Sequence, residues 1–179
     1  MKNKSYQNGQ VVRWAEFSDD MVYRYRLIID WAELLFRQPD AERSRILFLM
    51  CNPSTADEMK NDPTVERCER RARNGMFSSV EVCNLFALRS TNPKALYSHA
   101  DPEGPENLKC IRQAVKEAQM VVCAWGVHGA LGDAEKRMLQ MLGEMGVKAF
   151  TLGLTKDGHP RHPLYVSYEK GFELLREEA

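Results

Sequence analysis

Residues 46–52, ILFLMCN, form a short apolar run that stops at an amide and is followed at once by Pro53. Such a brief run predicts a buried strand, because a strand covered on both faces is apolar along its whole length. Proline cannot donate to a β-ladder and favours an extended residue before it, so the strand should end near Asn52. We therefore expect the Asn52 carboxamide to stand at the mouth of a sheet with its donor and its acceptor both free.

The same pattern recurs along the chain, and helical patterns separate the strands. Further apolar runs occupy residues 80–86, 120–125 and 147–152, and apolar residues recur at helical spacing between the runs. This alternation predicts right-handed crossovers and a parallel sheet covered on both faces. Residues 11–31 contain two β-branched and aromatic runs around residues 18–20, which indicates a hairpin at one edge. The expected fold is a three-layer α/β/α arrangement with a central four-stranded parallel sheet and an N-terminal β-hairpin.

Length and composition predict one ordinary globular domain. The chain has 179 residues, of which 44% are hydrophobic and 28% charged, and 25 basic side chains balance 25 acidic ones. This length suits a single core, so we assign residues 1–179 to one domain with residues 1–31 as its hairpin extension. A zero net charge argues against a non-specific DNA coat, but it leaves room for a local basic patch.

Export and membrane insertion are not expected. Residues 1–10, MKNKSYQNGQ, are polar and lack the apolar core of a signal peptide. No apolar stretch approaches the ~20 residues that a membrane helix needs. The sequence therefore predicts a cytoplasmic monomer with no membrane partner.

The cysteines give no sign of a disulfide framework or a metal site. Their number is odd and none is spaced C-x-x-C, which disfavours disulfides, a zinc site and an iron–sulfur cluster. A nucleophilic role for Cys51 is disfavoured because no histidine is locally implied as its partner. We expect no metal and no cofactor. The cysteines are Cys51, Cys68, Cys83, Cys110 and Cys123.

The four strand tails should hold the site, because the ligand crevice of such a fold lies beyond the carboxyl ends of its parallel strands. Asn84 ends the second run, where an unpaired amide is costly to bury; it either caps the loop backbone or reads the edge of a ligand. Arg89 follows as a candidate partner for a phosphate or a carboxylate. The last tail has His-Pro pairs at 159–160 and 162–163, and a histidine there can donate to an oxygen that gains charge.

Two of the tails also have plain structural interpretations. In the first, Asp62 or Thr64 would cap a helix that has Pro63 at its first position. In the third, WGVHGALGD at 125–133, the glycines predict a tight strand-to-helix turn, although the amides there could face a phosphate. The helical pattern after that turn covers residues 131–145.

Four short motifs occur in a fixed order, one in each tail: MCNPS at 50–54, VCNLFALRST at 82–91, VVCAWG at 121–126 and RHPLYV at 161–166. In this order they resemble the uracil-DNA glycosylase superfamily. Its members have Gly-x-Asp/Asn-Pro after the first strand, an amide after the second, an apolar strand ending in Trp-Gly or Leu-Gly, and a His-Pro-Ser-Pro-Leu loop. Met50 replaces the glycine here, and the last motif lacks Ser-Pro. NPSTAD, DPT, NLFALR, DPEGPEN, AWG and RHPLY also resemble a bacterial and phage family known as a domain of unknown function.

The resemblance implies hydrolysis of the N-glycosidic bond of a base flipped out of DNA, which leaves an abasic site. His162 would donate to the leaving base and Asn52 would orient the attacking water. An amide cannot take a proton from that water, so Asp57 or Asp62 would assist. The expected partner is DNA with a modified or damaged base, such as a hypermodified phage pyrimidine, in repair or antiviral defence. Base recognition would fall to Asn84, Phe86 and Cys51, and DNA contacts to Ser54, Arg89, Gly126, His128, Arg161, Leu164 and Tyr165, the last two as a wedge.

Two alternatives remain open. The first is a Mg²⁺-dependent transferase or hydrolase acting on nucleotides, with Asp57, Asp62 and Asp101 as ligands. The second is a DNA- or nucleotide-binding module without catalysis, because Asn52 is a weak replacement for a general base.

Overall fold

The computed structural model describes residues 1–32 and 44–175, and its strands form one eight-stranded sheet. The strands are β1 (Lys2–Asn8), β2 (Val11–Phe17), β3 (Arg24–Asp30), β4 (Arg45–Met50), β5 (Ser79–Asn84), β6 (Met120–Cys123), β7 (Ala149–Thr151) and β8 (Glu173–Leu174). They pair in the order β1-β2-β3-β5-β4-β6-β7-β8. Pairing is parallel between β5, β4, β6 and β7, and antiparallel elsewhere. The predicted mixed α/β class is confirmed.

Helices connect the strands and flank the sheet. Those that the structure describes are α1 (Pro63–Asn74), α2 (Asn107–Glu117) and α3 (Ala134–Glu144), with shorter 3₁₀ helices at Pro93–Tyr97, Val127–Asp133 and Pro163–Tyr165. The start of α1 is capped as predicted, because Oδ1 of Asp62 accepts from the Thr64 amide at 3.0 Å and from the Val65 amide at 2.8 Å. Within the described ranges, no helix is both long enough and apolar enough to cross a bilayer.

The side chains of β4 alternate between two apolar clusters on opposite faces of the sheet. Leu47 and Leu49 pack with residues of α2 and α3. Ile46, Phe48 and Met50 pack with residues of α1, β2 and β3. Burying such a side chain fully contributes about 1.5–3 kcal/mol. The central strand is therefore apolar throughout because both of its faces are covered.

The N-terminal extension is larger than the predicted hairpin. β2 and β3 pair antiparallel as expected, and β3 joins the parallel strands through β5. β1 adds a third strand, which pairs with β2. No pattern in the sequence predicts β1, because its residues, KNKSYQN, are all exposed and present no apolar face. The two residues of β8 are exposed as well, and pairing with β7 alone defines them as a strand.

The pattern at residues 131–145 predicts one helix, but the structure divides it. Gly132 and Asp133 have positive φ values of 56° and 57°. Two successive left-handed residues interrupt a right-handed helix, so the first part is a 3₁₀ turn and α3 begins at Ala134.

A buried ion network joins the N-terminal strands to the parallel strands. Glu81 in β5 is fully buried, and its carboxylate accepts from Nε and Nη2 of Arg26 in β3. The same carboxylate accepts from Arg45 in β4 at 3.0 Å. Glu117, at the end of α2, accepts from Arg26 at 2.6 Å and from Arg45 at 2.8 Å. Each charge in this network compensates for the burial of another.

Removing the charge of Glu81 should strongly destabilise the fold. Glu81→Gln keeps the shape of the side chain but leaves Arg26 and Arg45 with Glu117 alone, and breaking a buried pair costs about 3–5 kcal/mol. We expect a loss near the lower end of that range in the free energy of unfolding, measured by urea denaturation. The control is Glu103→Gln, because Glu103 forms an exposed pair with Arg137, and such pairs contribute at most about 1 kcal/mol. Equal losses in the two variants would contradict this role of the network.

Candidate functional site

A cavity of about 590 Å³ lies at the carboxyl ends of β4, β5 and β6. Parallel pairing brings these ends to one level, since Met50 is the register partner of Asn84 and the Ala124 amide donates to the Leu49 carbonyl at 2.8 Å. The volume falls within the range of about 300–1,000 Å³ that small-molecule sites occupy. Its polar lining comprises Arg24, Asn52, Ser54, Asp62, Thr64, Asn84, Ser90, Thr91, His128, Thr155, Arg161 and His162.

Most of the residues predicted to act in the site are brought together here. Those that line the cavity are Cys51, Asn52, Ser54, Asn84, Gly126, His128, Arg161, His162 and Tyr165. Asp57, Phe86, Arg89 and Leu164 are not part of its lining. The order of the tails along the chain therefore predicted which edge of the sheet carries this cavity, but not every side chain in its lining.

Asn84 contributes a buried amide to the cavity. It ends β5, and only 1% of its surface is exposed. Its Nδ2 has no hydrogen-bond partner among the residues that the structure describes. The loop-capping role considered for it belongs to Asn107, whose Nδ2 donates to the carbonyls of Asn84 and Leu85. A buried donor without a partner costs about 1–3 kcal/mol, so this amide is suited to a ligand acceptor.

Asn52 presents an acceptor in a fixed direction. Its Nδ2 donates to the Ser90 carbonyl at 2.8 Å and to the Pro53 carbonyl at 3.2 Å. Both bonds use the donor end of the carboxamide, and Oδ1 is left as the acceptor that a water or a ligand hydroxyl can use. The expectation that both ends are free is therefore corrected: the tail of β5 holds one of them.

His162 is a half-buried neutral donor. Its Nδ1 accepts from the Leu164 amide at 3.3 Å, so the neutral ring carries its proton on Nε2. Burial lowers the pKa of His162 below its usual 6.5, while the charge of Asp62 acts in the opposite direction. Gly126 lies directly beside it and has φ +71°, a conformation that strains any other residue.

Asp62, and not Asp57, is the carboxylate at the cavity. Asp57 forms its own turn, in which Oδ1 accepts from the amides of Met59 and Lys60, and it does not line the cavity. Asp62 lines it and is 8% exposed. Both helix amides that it caps donate to Oδ1, which leaves Oδ2 for other partners. Of the two aspartates predicted to assist, only Asp62 therefore lies at the cavity.

The remaining three residues outside the cavity have structural surroundings. Phe86 is 1% exposed and belongs to the apolar cluster under α2 and α3, so a base cannot stack on it without opening the core. Arg89 donates to the Met21 carbonyl at 3.2 Å and lies over the Phe17 ring. Leu164 is half-buried next to His162.

Cys51 lines the cavity as a neutral thiol. Burial raises its pKa to about 12. The thiolate is the nucleophilic form, so at neutral pH this side chain contributes shape and an apolar contact.

Arg24 is the residue of the cavity that sequence reasoning missed. It begins β3, is 1% exposed and lines the cavity. Its Nη1 donates to the Ala56 carbonyl at 2.5 Å, whereas Nε has no partner among the described residues. Burial lowers its pKa to about 10, so it remains charged at neutral pH. The sequence signal that could have indicated Arg24 was an arginine within the aromatic and β-branched stretch YRYRLII.

Exposed aromatic and apolar side chains surround the mouth of the cavity. Tyr165 and Val127 line it with 80% and 51% of their surfaces exposed. The Tyr97 hydroxyl bonds Nδ1 of His128 at 3.1 Å, which places a second exposed tyrosine beside them. Flat rings of this kind suit stacking on another ring.

A family model with the description "Protein of unknown function (DUF1643)" matches residues 24–164. No curated protein and no solved structure matches the chain. The matched segment includes Arg24, the first three strand tails and the fourth as far as Leu164, and it covers well over half of the 179 residues. The chain therefore belongs to the DUF1643 family.

Proposed function

We propose that the protein is a DNA glycosylase, which hydrolyses the N-glycosidic bond of a flipped-out modified or damaged base and leaves an abasic site. The observation that carries the proposal is the buried Asn84 amide, whose Nδ2 has no partner among the described residues. The neutral donor of His162 and the acceptor of Asn52 line the same cavity. Reading a base outside its stack requires fixed donors and acceptors of this kind.

The sheet supports the same proposal. β5, β4, β6 and β7 pair in parallel, and apolar clusters with helices lie on both faces of β4. We infer from this that the central part has the three-layer arrangement of the uracil-DNA glycosylase superfamily. Fold alone does not determine an activity, so the site residues remain the main support.

The proposed reaction breaks the bond between C1′ of the sugar and the base nitrogen. The electron pair of that bond leaves with the base, and Nε2–H of His162 stabilises the developing anion by donating to a base oxygen. A water whose proton points to Oδ1 of Asn52 adds its oxygen to C1′. Asp62 accepts the proton that the water loses, which an amide cannot do.

DNA contacts would come from the mouth of the cavity. Tyr165, with Leu164 beside it, would fill the space that the base leaves in the stack, and this offsets an unstacking cost of a few kcal/mol. Ser54, Arg161 and His128 line the cavity and would approach phosphates. Such an enzyme would act in repair or in antiviral defence, the latter on hypermodified phage pyrimidines.

A binding module without catalysis is the second candidate. It is favoured by Asn52, which holds an amide where a general base would act and is tied to Ser90. The Mg²⁺-dependent alternative has less support. Of its three aspartates only Asp62 lines the cavity, whereas Asp57 and Asp101 accept from amides of their own turns.

The glycosylase should cut a modified-base duplex without a metal. The panel carries uracil, mismatched thymine, or glycosylated and other bulky pyrimidines, and strand scission is measured after alkali in the presence of EDTA. We expect Asn52→Ala and His162→Ala to lower the single-turnover rate by about 10²- to 10⁴-fold. Asn74→Ala and His99→Ala are the matched controls, because both side chains are exposed and outside the cavity. Duplex binding with no abasic product across the panel would favour the binding module.

The reaction should lose rate on the acid side through His162. Protonation of Nδ1 keeps Nε2–H but breaks the bond from the Leu164 amide that holds the ring in place, and burial favours the neutral ring, so the pKa of His162 lies below 6.5. The midpoint of the fall in rate should therefore lie below pH 6.5, with the full rate on its alkaline side. A pH profile of single-turnover excision tests this, with His99→Ala as the control that keeps the same profile. An acid limb of His162 centred above pH 6.5 would contradict the neutral donor.

A further inference from the structure

Two arginines that are two positions apart on β3 meet opposite surroundings. Arg26 presents Nε and Nη2 side by side to the two oxygens of Glu81. In Arg24 the same edge of the guanidinium finds no carboxylate: Nε has no partner, and Nη1 alone donates, to the Ala56 carbonyl. Among residues 1–32 and 44–175, no carboxylate oxygen lies within 4.0 Å of the Arg24 guanidinium.

A buried guanidinium without a direct counter-ion is costly. Removing a charge from water costs several kcal/mol unless an opposite charge compensates for it. Asp62 and Asp57 act on Arg24 through space, but Arg89 adds a second positive charge to the same region. Asp62 moreover accepts from the helix amides of α1. Arginine binds carboxylates best through the edge formed by Nε and Nη2, and in Arg24 this edge has no anionic partner among the described residues.

The position of Arg24 in the cavity indicates which part of a ligand it would meet. Arg24 and Asn84 are each 1% exposed, whereas Tyr165 at the mouth is 80% exposed. Buried apolar residues of the same lining include Met50, Val65, Val82 and Trp125. The part of a ligand that enters furthest would thus contact apolar walls, one amide and one guanidinium.

We propose that Arg24, together with Asn84 of the same cavity lining, forms a subsite for an oxyanion carried by the base itself, and that the preferred ligands are pyrimidines with a carboxylate substituent. The substituent would accept two parallel hydrogen bonds from Nε and Nη2 of Arg24, as Glu81 does from Arg26. This inference rests on the proposed function in one respect, because it takes the ligand to be a base. A phosphate group can accept the same two hydrogen bonds, so the test must distinguish an oxyanion on the base from a phosphate.

Direct binding of free compounds tests the subsite without catalysis. Isothermal titration of the full chain compares uracil, uracil with a carboxylate on C5 or on C6, deoxyuridine monophosphate and inorganic phosphate. We expect at least one carboxylated uracil to bind about 10- to 100-fold more tightly than uracil, the gain typical of a hydrogen bond to a charged group. Equal affinity for charged and uncharged bases would overturn the subsite. A preference for the two phosphates over both carboxylated bases would overturn its assignment to the base.

Variants assign the effect to the two side chains. Arg24→Met should abolish the preference for the carboxylated base, measured as the ratio of its affinity to that of uracil in the same variant. Asn84→Asp keeps the size of the amide but adds a negative charge, and should weaken the carboxylated base by at least tenfold. Arg70→Met is the matched control, because that arginine is exposed, lies outside the cavity lining and should preserve the preference. If Arg24→Met does not fold, as thermal unfolding would reveal, Asn84→Asp and the comparison of ligands on the unmodified chain still decide.

Failure of this inference and failure of the glycosylase have different signatures. A carboxylate preference without an abasic product would retain the subsite and remove the catalytic proposal. Excision of an uncharged modified base, with no carboxylate preference, would retain the glycosylase and overturn the subsite.

Discussion

The compensation of Glu81 is the constraint on which the arrangement of this fold depends. A fully buried carboxylate is tolerable only where cations reach it, and here they come from both neighbouring strands, Arg26 on β3 and Arg45 on β4. The apolar side chains around it would accept many registers, because hydrophobic contact is not directional. The ion network accepts one register, since a shift of one residue would turn both arginines to the opposite face.

That register also positions side chains that line the cavity. Seating Arg26 on Glu81 fixes β3 against β5, and Arg24 then extends the strand as its amide donates to the Ala87 carbonyl. On the other side, β4 and β5 end together at Met50 and Asn84. The N-terminal strands are therefore part of the site as well as of the sheet. Arg24 is also the first residue of the segment that the family model matches.

Periodicity predicted the elements whose burial pattern is simple, and missed those whose position is set by pairing alone. The apolar runs that became β4, β5 and β6 were recognisable because both of their faces are covered, whereas β1 has no covered face. The same limit applies to the site. The tails indicated which edge to consider, but Phe86 turned into the core two residues after Asn84 had turned into the cavity. The sequence offered Asp57 and Asp62 equally as the acid that assists Asn52, and only the path of the loop shows which of them lies at the cavity.

The free-energy cost of burying unpaired donors gives the proposed site a physical basis for selectivity. The buried side-chain atoms without a partner in the described part of the chain include Nε of Arg24 and Nδ2 of Asn84, and both residues line one cavity. A ligand that accepts from these two donors offsets the free-energy cost of burying them unpaired. A ligand present at a hundred times its dissociation constant adds about 2.7 kcal/mol to the free energy of unfolding. A ligand that enters without the matching acceptors leaves both donors buried and unpaired. Discrimination in such a site arises mainly from what the wrong ligand leaves unpaired, which separates close analogues far better than size does.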